Sequence, residues 1–351
     1  NIAAPQRGQR IVAIPTYTAA HPAGAVARRL AEAETHVRAG KPDKAEAAYR
    51  QIIKQSPACA PALHALGLMV RARGQIGRAI ELLERAADIA PDDPAIQCDL
   101  GLALKAAGRH GEAIERLVVV ATLLAPHAPE AHANLGVALK AAGRWTEAID
   151  AFARAVTLRP NDPELLYNLG NGLLAADRAE EAEAEFRRTL DIIPGHTRAR
   201  INLGTAIKDR GGYDEAVRCF EKVLAGPVSG RDASDAGWNL GLALLAQERW
   251  RDGWRHYEAR RRLPGFALRR FDAPAWDGAP LGGRTLLVHG EQGLGDTIQF
   301  LRYLPLLRDK VGNCAFLRPL GRLPLTEDAC QLLRCRIEGV FLLLSICLQL
   351  L

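Results

Sequence analysis

A repeating period of about 34 residues constrains this chain more than any other feature of its sequence. A Leu-Gly pair recurs six times, and successive glycines are 34, 35, 34, 34 and 37 residues apart. The glycines of the six pairs are Gly67, Gly101, Gly136, Gly170, Gly204 and Gly241. Such a period restricts the fold to a stack of small, similar units, because each unit can bury its apolar face only against its neighbours.

The other recurring residues predict that each unit is a pair of antiparallel helices. Alanine recurs at Ala45, Ala79, Ala113, Ala148, Ala182 and Ala216. Four positions later a large apolar residue follows: Tyr49, Leu83, Leu117, Phe152, Phe186 and Phe220. Glycine and alanine let two helices approach closely, and the large side chain fills the space beside them. Proline closes most units and stops the second helix, at Pro57, Pro91, Pro126, Pro160 and Pro194. Gly74, Gly108 and Gly143 are expected at the turns between helices.

This pattern resembles the tetratricopeptide repeat in both period and residue type. The resemblance covers residues 26–264 and implies six repeats plus an atypical capping repeat. The first repeat has Glu32-Ala33 where Leu-Gly is expected, and the last has Gly253 in place of the alanine. The predicted fold class is therefore all-α, a right-handed α-solenoid, followed by a short α/β Rossmann-like fragment.

A polar residue precedes the leucine in five of the six pairs, and these residues are expected to share one face of the solenoid. They are Asp99, Asn134, Asn168, Asn202 and Asn239. An asparagine amide both donates and accepts hydrogen bonds, so such a ladder can hold a peptide backbone without reading its side chains. The ladder resembles that of the O-linked N-acetylglucosamine transferases, which implies a protein or peptide partner in the concave groove. The alternative is that asparagine at this position belongs to the repeat pattern whatever the ligand.

A second row of residues, five positions after the leucine, carries positive charge in four repeats. The cations are Arg71, Lys105, Lys140 and Lys208. A basic stripe on the inner face favours an acidic partner or a terminal carboxylate, while the alternative is a solvated helix face. Leu174 and Leu245 interrupt the stripe.

Nucleic acid is not the expected partner. The net charge of +6 is too small to indicate it. Eight arginines lie between Arg249 and Arg270, but Trp250, Trp254 and Tyr257 among them have the spacing of a buried helix face. The preferred interpretation is core packing with the arginines outward. No CxxC pair occurs, so no metal site is predicted.

After the repeats the pattern changes to that of an α/β unit. Residues 265–284 are predicted to be a linker, residues 285–289 a buried strand, and residues 297–308 a helix capped by Asp296. The intervening glycine-rich loop has P-loop spacing, but Asp296 stands where a P-loop has lysine, and a carboxylate there would repel phosphate.

The segments GWxxYExR, PxWxG and EQGLGDTIQFxRYxPLL after the repeats resemble bacterial tetratricopeptide-repeat glycosyltransferases. Their catalytic domain is similar to that of the heptosyltransferases, in which a Gly-Asp pair faces the acceptor. The resemblance implies an acceptor loop formed by His289, Glu291, Gly293 and Gly295, with Asp296 as a general base. The alternatives are a plain helix cap for Asp296 and structural roles for His289 and Glu291.

The resemblance ends near Lys310, and residues 311–351 are interpreted as an unmatched tail, for which a frameshift is the hypothesis. The donor half of a glycosyltransferase site would then be missing, so the expected function is a protein-binding scaffold without catalysis or cofactor. The alternative is an enzyme that transfers a sugar from a nucleotide donor, which is implied only for the full-length family. Residues 1–25 are expected to be a loose leader, and the location cytoplasmic. The apolar end of the tail is too short to span a bilayer as a helix, although a tail anchor is the alternative.

Overall fold

The computed structural model of the chain describes residues 24–263, 286–289, 305 and 314–317. The predicted linker at 265–284, Glu291 to Asp296, most of the predicted helix at 297–308 and most of the tail lie outside these residues, as does nearly all of the predicted leader.

Residues 24–263 are all-α and form seven consecutive helix pairs. The first helices of the pairs are α1 (Gly24–Arg38), α3 (Ala60–Ala72), α5 (Pro94–Ala106), α7 (Pro129–Ala141), α9 (Pro163–Ala175), α11 (Thr197–Asp209) and α13 (Gly230–Ala246). The second helices are α2 (Pro42–Gln55), α4 (Ile76–Ile89), α6 (His110–Val119), α8 (Trp145–Leu158), α10 (Ala179–Ile192), α12 (Tyr213–Leu224) and α14 (Trp250–Tyr257). The chain divides into two compact units, residues 1–199 and residues 200–351. The predicted solenoid of helix pairs is thus confirmed, and the capping pair begins at Gly230.

Prolines and aspartates fix where the first helices begin. Pro94 and Pro163 occupy the first helical position, where the missing N–H leaves no hydrogen bond unmade. The Asp93 carboxylate accepts hydrogen bonds from the N–H groups of Ala95 and Ile96, at 2.9 and 3.2 Å. Asp162 caps α9 in the same way. The boundary between two repeats is therefore determined locally by a cap and a proline.

The turn inside each pair requires a residue in the left-handed region. Gly74, Gly108 and Gly143 have φ of 78°, 78° and 75°, which confirms their predicted role. Asp177 and Glu248 take the corresponding place in two other pairs, each with φ of 61°. A side chain in this conformation costs free energy that glycine avoids.

We therefore expect Glu248→Gly to raise the free energy of unfolding by about 0.5–1 kcal/mol. The converse change, Gly143→Ala, should lower it by about 1 kcal/mol, because a Cβ there meets no atom within 4 Å and only the backbone strain is added. Urea unfolding followed by circular dichroism measures both changes. A Glu248→Gly variant that is no more stable than the unmodified chain would contradict the assignment of strain to Glu248.

The core of each pair is built on the glycine of the Leu-Gly motif. A Cβ at Gly136 would lie 2.7 Å from the Phe152 ring, and one at Gly170 would lie 2.7 Å from the Phe186 ring. The six recurring alanines are fully buried, and the large residues four positions later are at most 2% exposed. The two helices of a pair thus touch where glycine leaves room for the large side chain, as the sequence predicts.

Within residues 1–199 the first helices of successive pairs pack against one another, α3 against α5, α5 against α7 and α7 against α9. Second helices of successive pairs make at most marginal contact there. The stack is therefore tighter on the side of the first helices. We call the surface formed by α3, α5, α7 and α9 the inner wall.

The third pair departs from the others at the end of its second helix. After α6 the chain continues as a π-helical turn, Val120–Leu124, which absorbs the extra residue of the 35-residue spacing between Gly101 and Gly136. Val118, Val119 and Leu123 are exposed here, Leu123 to 73%. This apolar patch lies on a second helix and not on the inner wall.

The two helices of the last pair pack more closely against each other than those of the other pairs. A Cβ at Gly241 would lie 2.5 Å from the backbone nitrogen of Tyr257, and one at Gly253 would lie 2.8 Å from the Leu245 side chain. Glycine replaces alanine at position 253 because α13 and α14 leave no space for a side chain.

The expected division of the arginine-rich segment into a buried aromatic face and outward arginines is only partly correct. Trp254 is buried and contacts Tyr257 edge-on, but Trp250 is 47% exposed at the start of α14. Arg260 is buried, with its guanidinium 4.4 Å from the centre of the Tyr257 ring. The helix ends in a 3-10 turn, Glu258–Arg262, which carries Arg260 inward.

Two short strands follow the helices. β1 (Leu286–His289) pairs in parallel with β2 (Cys314–Leu317), with Leu286 opposite Cys314. β1 lies where the sequence predicts a strand, whereas β2 lies in the segment interpreted as an unmatched tail.

Candidate functional site

Three neighbouring rows of side chains run across the inner wall, each with one residue on each of three successive first helices. Successive rows are three positions apart in sequence, so their residues are neighbours on the helix surface. The first row is polar and consists of Asp99, Asn134 and Asn168. The second row is apolar and half-buried, and consists of Leu68, Leu102 and Val137. The third row is cationic and consists of Arg71, Lys105 and Lys140.

The predicted ladder residue Asp99 is bonded within the protein. Its side chain is buried and lies between α3 and α5. Its Oδ2 is 2.8 Å from Nε2 of His64, a side chain that is only 1% exposed. Its Oδ1 is 3.2 Å from Nη1 of Arg71, and the same Nη1 donates to the Asp99 carbonyl at 3.3 Å. Asp99 thus joins the first two helices of the wall and neutralises Arg71.

Asn134 and Asn168 are the half-exposed amides of the first row. Asn134 donates from Nδ2 to Sγ of Cys98, 3.0 Å away. Burial and the Asp99 charge raise the pKa of the Cys98 thiol to about 11, so the sulfur remains a protonated, weak acceptor at neutral pH. Among the described residues the Asn168 side chain has no hydrogen-bond partner. Both amides therefore keep hydrogen-bonding capacity for a ligand.

The cations of the third row are close enough to interact. Burial lowers the pKa of Lys105 below its usual range, and the charges of Arg71 and Lys140 lower it further. Within the described part of the chain neither Lys105 nor Lys140 has an acidic partner. The two ammonium groups together form a positive surface to which the described residues supply no counter-charge.

On α9 the apolar row carries a polar residue and the cationic row carries an apolar one. Asn171 stands in the apolar row and Leu174 in the cationic row, and both side chains are half-buried. The positive surface therefore ends at α7, as the interruption at Leu174 predicts.

The remaining predicted groove residues belong to the second unit. Asn239 donates from Nδ2 to the carbonyl oxygen of Asp235 in its own helix, at 2.9 Å. Lys208 pairs with the neighbouring Asp209 at 2.5 Å, and Asn202 has a partner of its own. These three side chains are thus already engaged within the unit.

Of the predicted acceptor loop, only the backbone of His289 is described, at the last position of β1. Glu291, Gly293, Gly295 and Asp296 lie outside the described residues. No group of three His, Cys, Asp or Glu side chains in the described residues is placed to hold a metal ion. None of the described helices is both long and apolar enough to cross a bilayer.

Sequence reasoning missed His64 and the apolar row. The sequence spacing could have revealed the apolar row, since Leu68, Leu102 and Val137 each lie three positions after the ladder position of their helix. No sequence pattern could have revealed His64, because its contact with Asp99 depends on how α3 packs against α5.

The tetratricopeptide repeat profile matches residues 30–94, 98–163 and 201–252, and a second profile of the same description matches residues 70–122 and 139–200. Protein FlbA of Caulobacter vibrioides is 32% identical over 111 residues, which are 31% of this chain but only 19% of FlbA.

Two solved structures share the fold. PilW, described as a type IV pilus biogenesis factor, has a TM-score of 0.55 and 18% identity, over 64% of this chain and 100% of PilW. A tetratricopeptide repeat protein of Parabacteroides merdae has a TM-score of 0.54 and 15% identity, over 68% of this chain and 93% of its own. At this level of identity the two structures support the fold alone. The profile matches, however, cover more than half of the chain, which therefore belongs to the tetratricopeptide repeat family.

Proposed function

We propose that this chain is a scaffold that binds a peptide segment of another protein along its inner wall. The observation that supports this most directly is the pair of half-exposed amides on neighbouring helices, Asn134 on α7 and Asn168 on α9. A repeat solenoid presents such a wall as an extended binding surface. The amides supply donors and acceptors that match a peptide backbone.

The stability of the array does not depend on these two amides. The hydrogen bond of Asn134 ends on a thiol sulfur, a weak acceptor, and Asn168 has no partner among the described residues. Removing both amides should therefore leave the solenoid folded while removing contacts to a ligand.

The test is a double substitution, Asn134→Ala with Asn168→Ala, in the full chain. Peptides that bind the unmodified chain are first selected from a random library displayed on phage. We expect the selected peptides to bind the double variant about tenfold more weakly, because two or more hydrogen bonds of about 0.5–1.5 kcal/mol each are lost.

Asn161→Ala is the matched control, since this exposed asparagine lies in the loop between α8 and α9. It should leave the peptide affinity unchanged. Circular dichroism melting should give the same transition for all variants. Unchanged binding by a folded double variant would show that the amides of the inner wall do not hold the peptide.

A second candidate function, sugar transfer from a nucleotide donor, is favoured by β1, which lies in the segment that resembles the glycosyltransferases and pairs in parallel with β2. Parallel pairs with a long crossover are typical of Rossmann-like domains. We propose Asp296 as the base of such a transfer. Titration of the purified chain with a panel of nucleotide sugars tests whether this chain has the activity. Binding or hydrolysis of any of them would favour the enzyme over the scaffold.

A further inference from the structure

The chemical character of the rows on the inner wall indicates which kind of peptide they bind. The amide row can contact any backbone, but the apolar and cationic rows beside it present side chains of fixed character. On α3, α5 and α7 the same order holds, with an apolar residue followed three positions later by a cation. These two rows therefore indicate the chemical character of the peptide, given the proposed peptide-binding function.

We infer that the partner segment is acidic and amphipathic, with carboxylate side chains along the cationic row and apolar side chains along Leu68, Leu102 and Val137. The charges are complementary, because Lys105 and Lys140 have no acidic partner within the described residues. The half-buried apolar row offers a surface on which leucine-sized side chains lose contact with water.

Lys105 is the centre of this surface. It lies half-buried between Arg71 and Lys140, and the two neighbouring charges add to the cost of its own charge. An incoming carboxylate would relieve that cost, so acidic groups should bind here better than on an isolated surface lysine. Arg71 contributes less, since Asp99 already neutralises it.

The length of the cationic row favours an internal segment over a chain terminus. Neighbouring helices pack about 8–10 Å apart, so the row covers roughly 20 Å from α3 to α7. An extended peptide of about six residues spans that distance. A single terminal carboxylate can satisfy only one end of such a row.

The acidic part of the segment should end where the row ends. On α9, Leu174 replaces the cation and Asn171 replaces the apolar residue. The segment is therefore expected to become uncharged as it passes from α7 to α9, where Asn168 can hold its backbone.

The test uses a fluorescent eight-residue peptide of alternating Glu and Leu, blocked at both ends, and the full chain in a fluorescence anisotropy titration. Two further peptides, with Gln or Lys in place of Glu, serve as comparisons. We expect the Glu peptide to bind at least tenfold more tightly than the Gln peptide, with affinity that falls as salt increases. Equal binding of the Glu and Gln peptides would overturn the acidic partner while leaving peptide binding itself intact.

The double variant Lys105→Gln with Lys140→Gln should lose about tenfold in affinity for the Glu peptide. The control removes the same charge from the other helix of a pair, by Lys44→Gln with Lys54→Gln on the exposed side of α2, and should lose less than twofold. Charge reversal, Lys105→Glu with Lys140→Glu, should transfer binding to the Lys peptide. Equal losses of affinity in the two glutamine variants would show that only the net charge of the chain matters, which would overturn the site. If only a Glu peptide with a free carboxyl terminus bound, this would overturn the inference that the ligand is an internal segment.

Discussion

Gly241→Ala is expected to destabilise the last helix pair by about 3 kcal/mol, more than any other substitution of a Leu-Gly glycine. The added Cβ would lie 2.5 Å from the backbone nitrogen of Tyr257 and 2.9 Å from the carbonyl oxygen of Gly253. Backbone atoms cannot rotate away, so α14 as a whole must move. Overpacking of this kind costs about 1–3 kcal/mol or more, against a gain of at most about 1 kcal/mol from the helix propensity of alanine.

Gly67→Ala is the matched comparison. A Cβ there would meet the Leu83 side chain, 2.9 Å from its Cγ, and a leucine side chain can shift. The expected cost is about 1 kcal/mol or less, because the gain in helix propensity offsets part of the strain. Urea unfolding by circular dichroism, together with hydrogen exchange of the α14 amides, measures both variants. A cost for Gly241→Ala no larger than that for Gly67→Ala would contradict the close packing of α13 on α14.

Asp99→Ala is expected to lower the free energy of unfolding by about 3 kcal/mol. The substitution removes the carboxylate that is 2.8 Å from His64 and 3.2 Å from Arg71, and it leaves a buried imidazole without that partner. Breaking a buried pair by deleting one member is costly for this reason. If Asp99 mainly bound a ligand, its removal would instead change affinity and leave stability alone.

Asp99→Asn separates the two contributions of this side chain. Asparagine is the residue found at the ladder position of α7 and α9, and its carbonyl oxygen can still accept a hydrogen bond from His64. We expect it to cost about 1 kcal/mol, the net contribution of a typical hydrogen bond, because the contact with His64 is kept and only the charge facing Arg71 is lost. Thermal and urea unfolding of both variants test this order. An Asp99→Ala variant within about 0.5 kcal/mol of the unmodified chain would rule out the structural role, since that is the range of ordinary surface substitutions.

The repeat architecture was predictable because the residues that define each unit lie close together in the sequence. The glycine at positions such as Gly136 and the phenylalanine at Phe152 are spaced as their contact requires, and Gly143 supplies the φ of 75° that the turn needs. Such signals recur in every unit, so they reinforce one another along the chain. The extra residue between Gly101 and Gly136 was visible in the spacing, but not that a π-helical turn would absorb it.

The features that escaped prediction depend on contacts between helices. Nothing near Asp99 in the sequence indicates that His64, 35 positions earlier, meets its carboxylate. The spacing of Trp250, Trp254 and Tyr257 suggested one buried face, but α14 begins at Trp250 and leaves that side chain 47% exposed. Arg260 is buried because a 3-10 turn follows the helix, which an α-helical periodicity does not anticipate.

The central claim, that the inner wall binds the peptide, is tested most directly by photo-crosslinking from single positions. A photoreactive residue is placed at Leu102, in the apolar row of α5, or at Leu123, which is 73% exposed on the second-helix side. Each full-length variant is irradiated with the blocked Glu-Leu peptide, and the crosslinked product is identified by mass spectrometry. We predict crosslinking from position 102 and none above background from position 123. Crosslinking from position 123 alone would place the peptide on the exposed patch of the second helices and contradict binding at the inner wall.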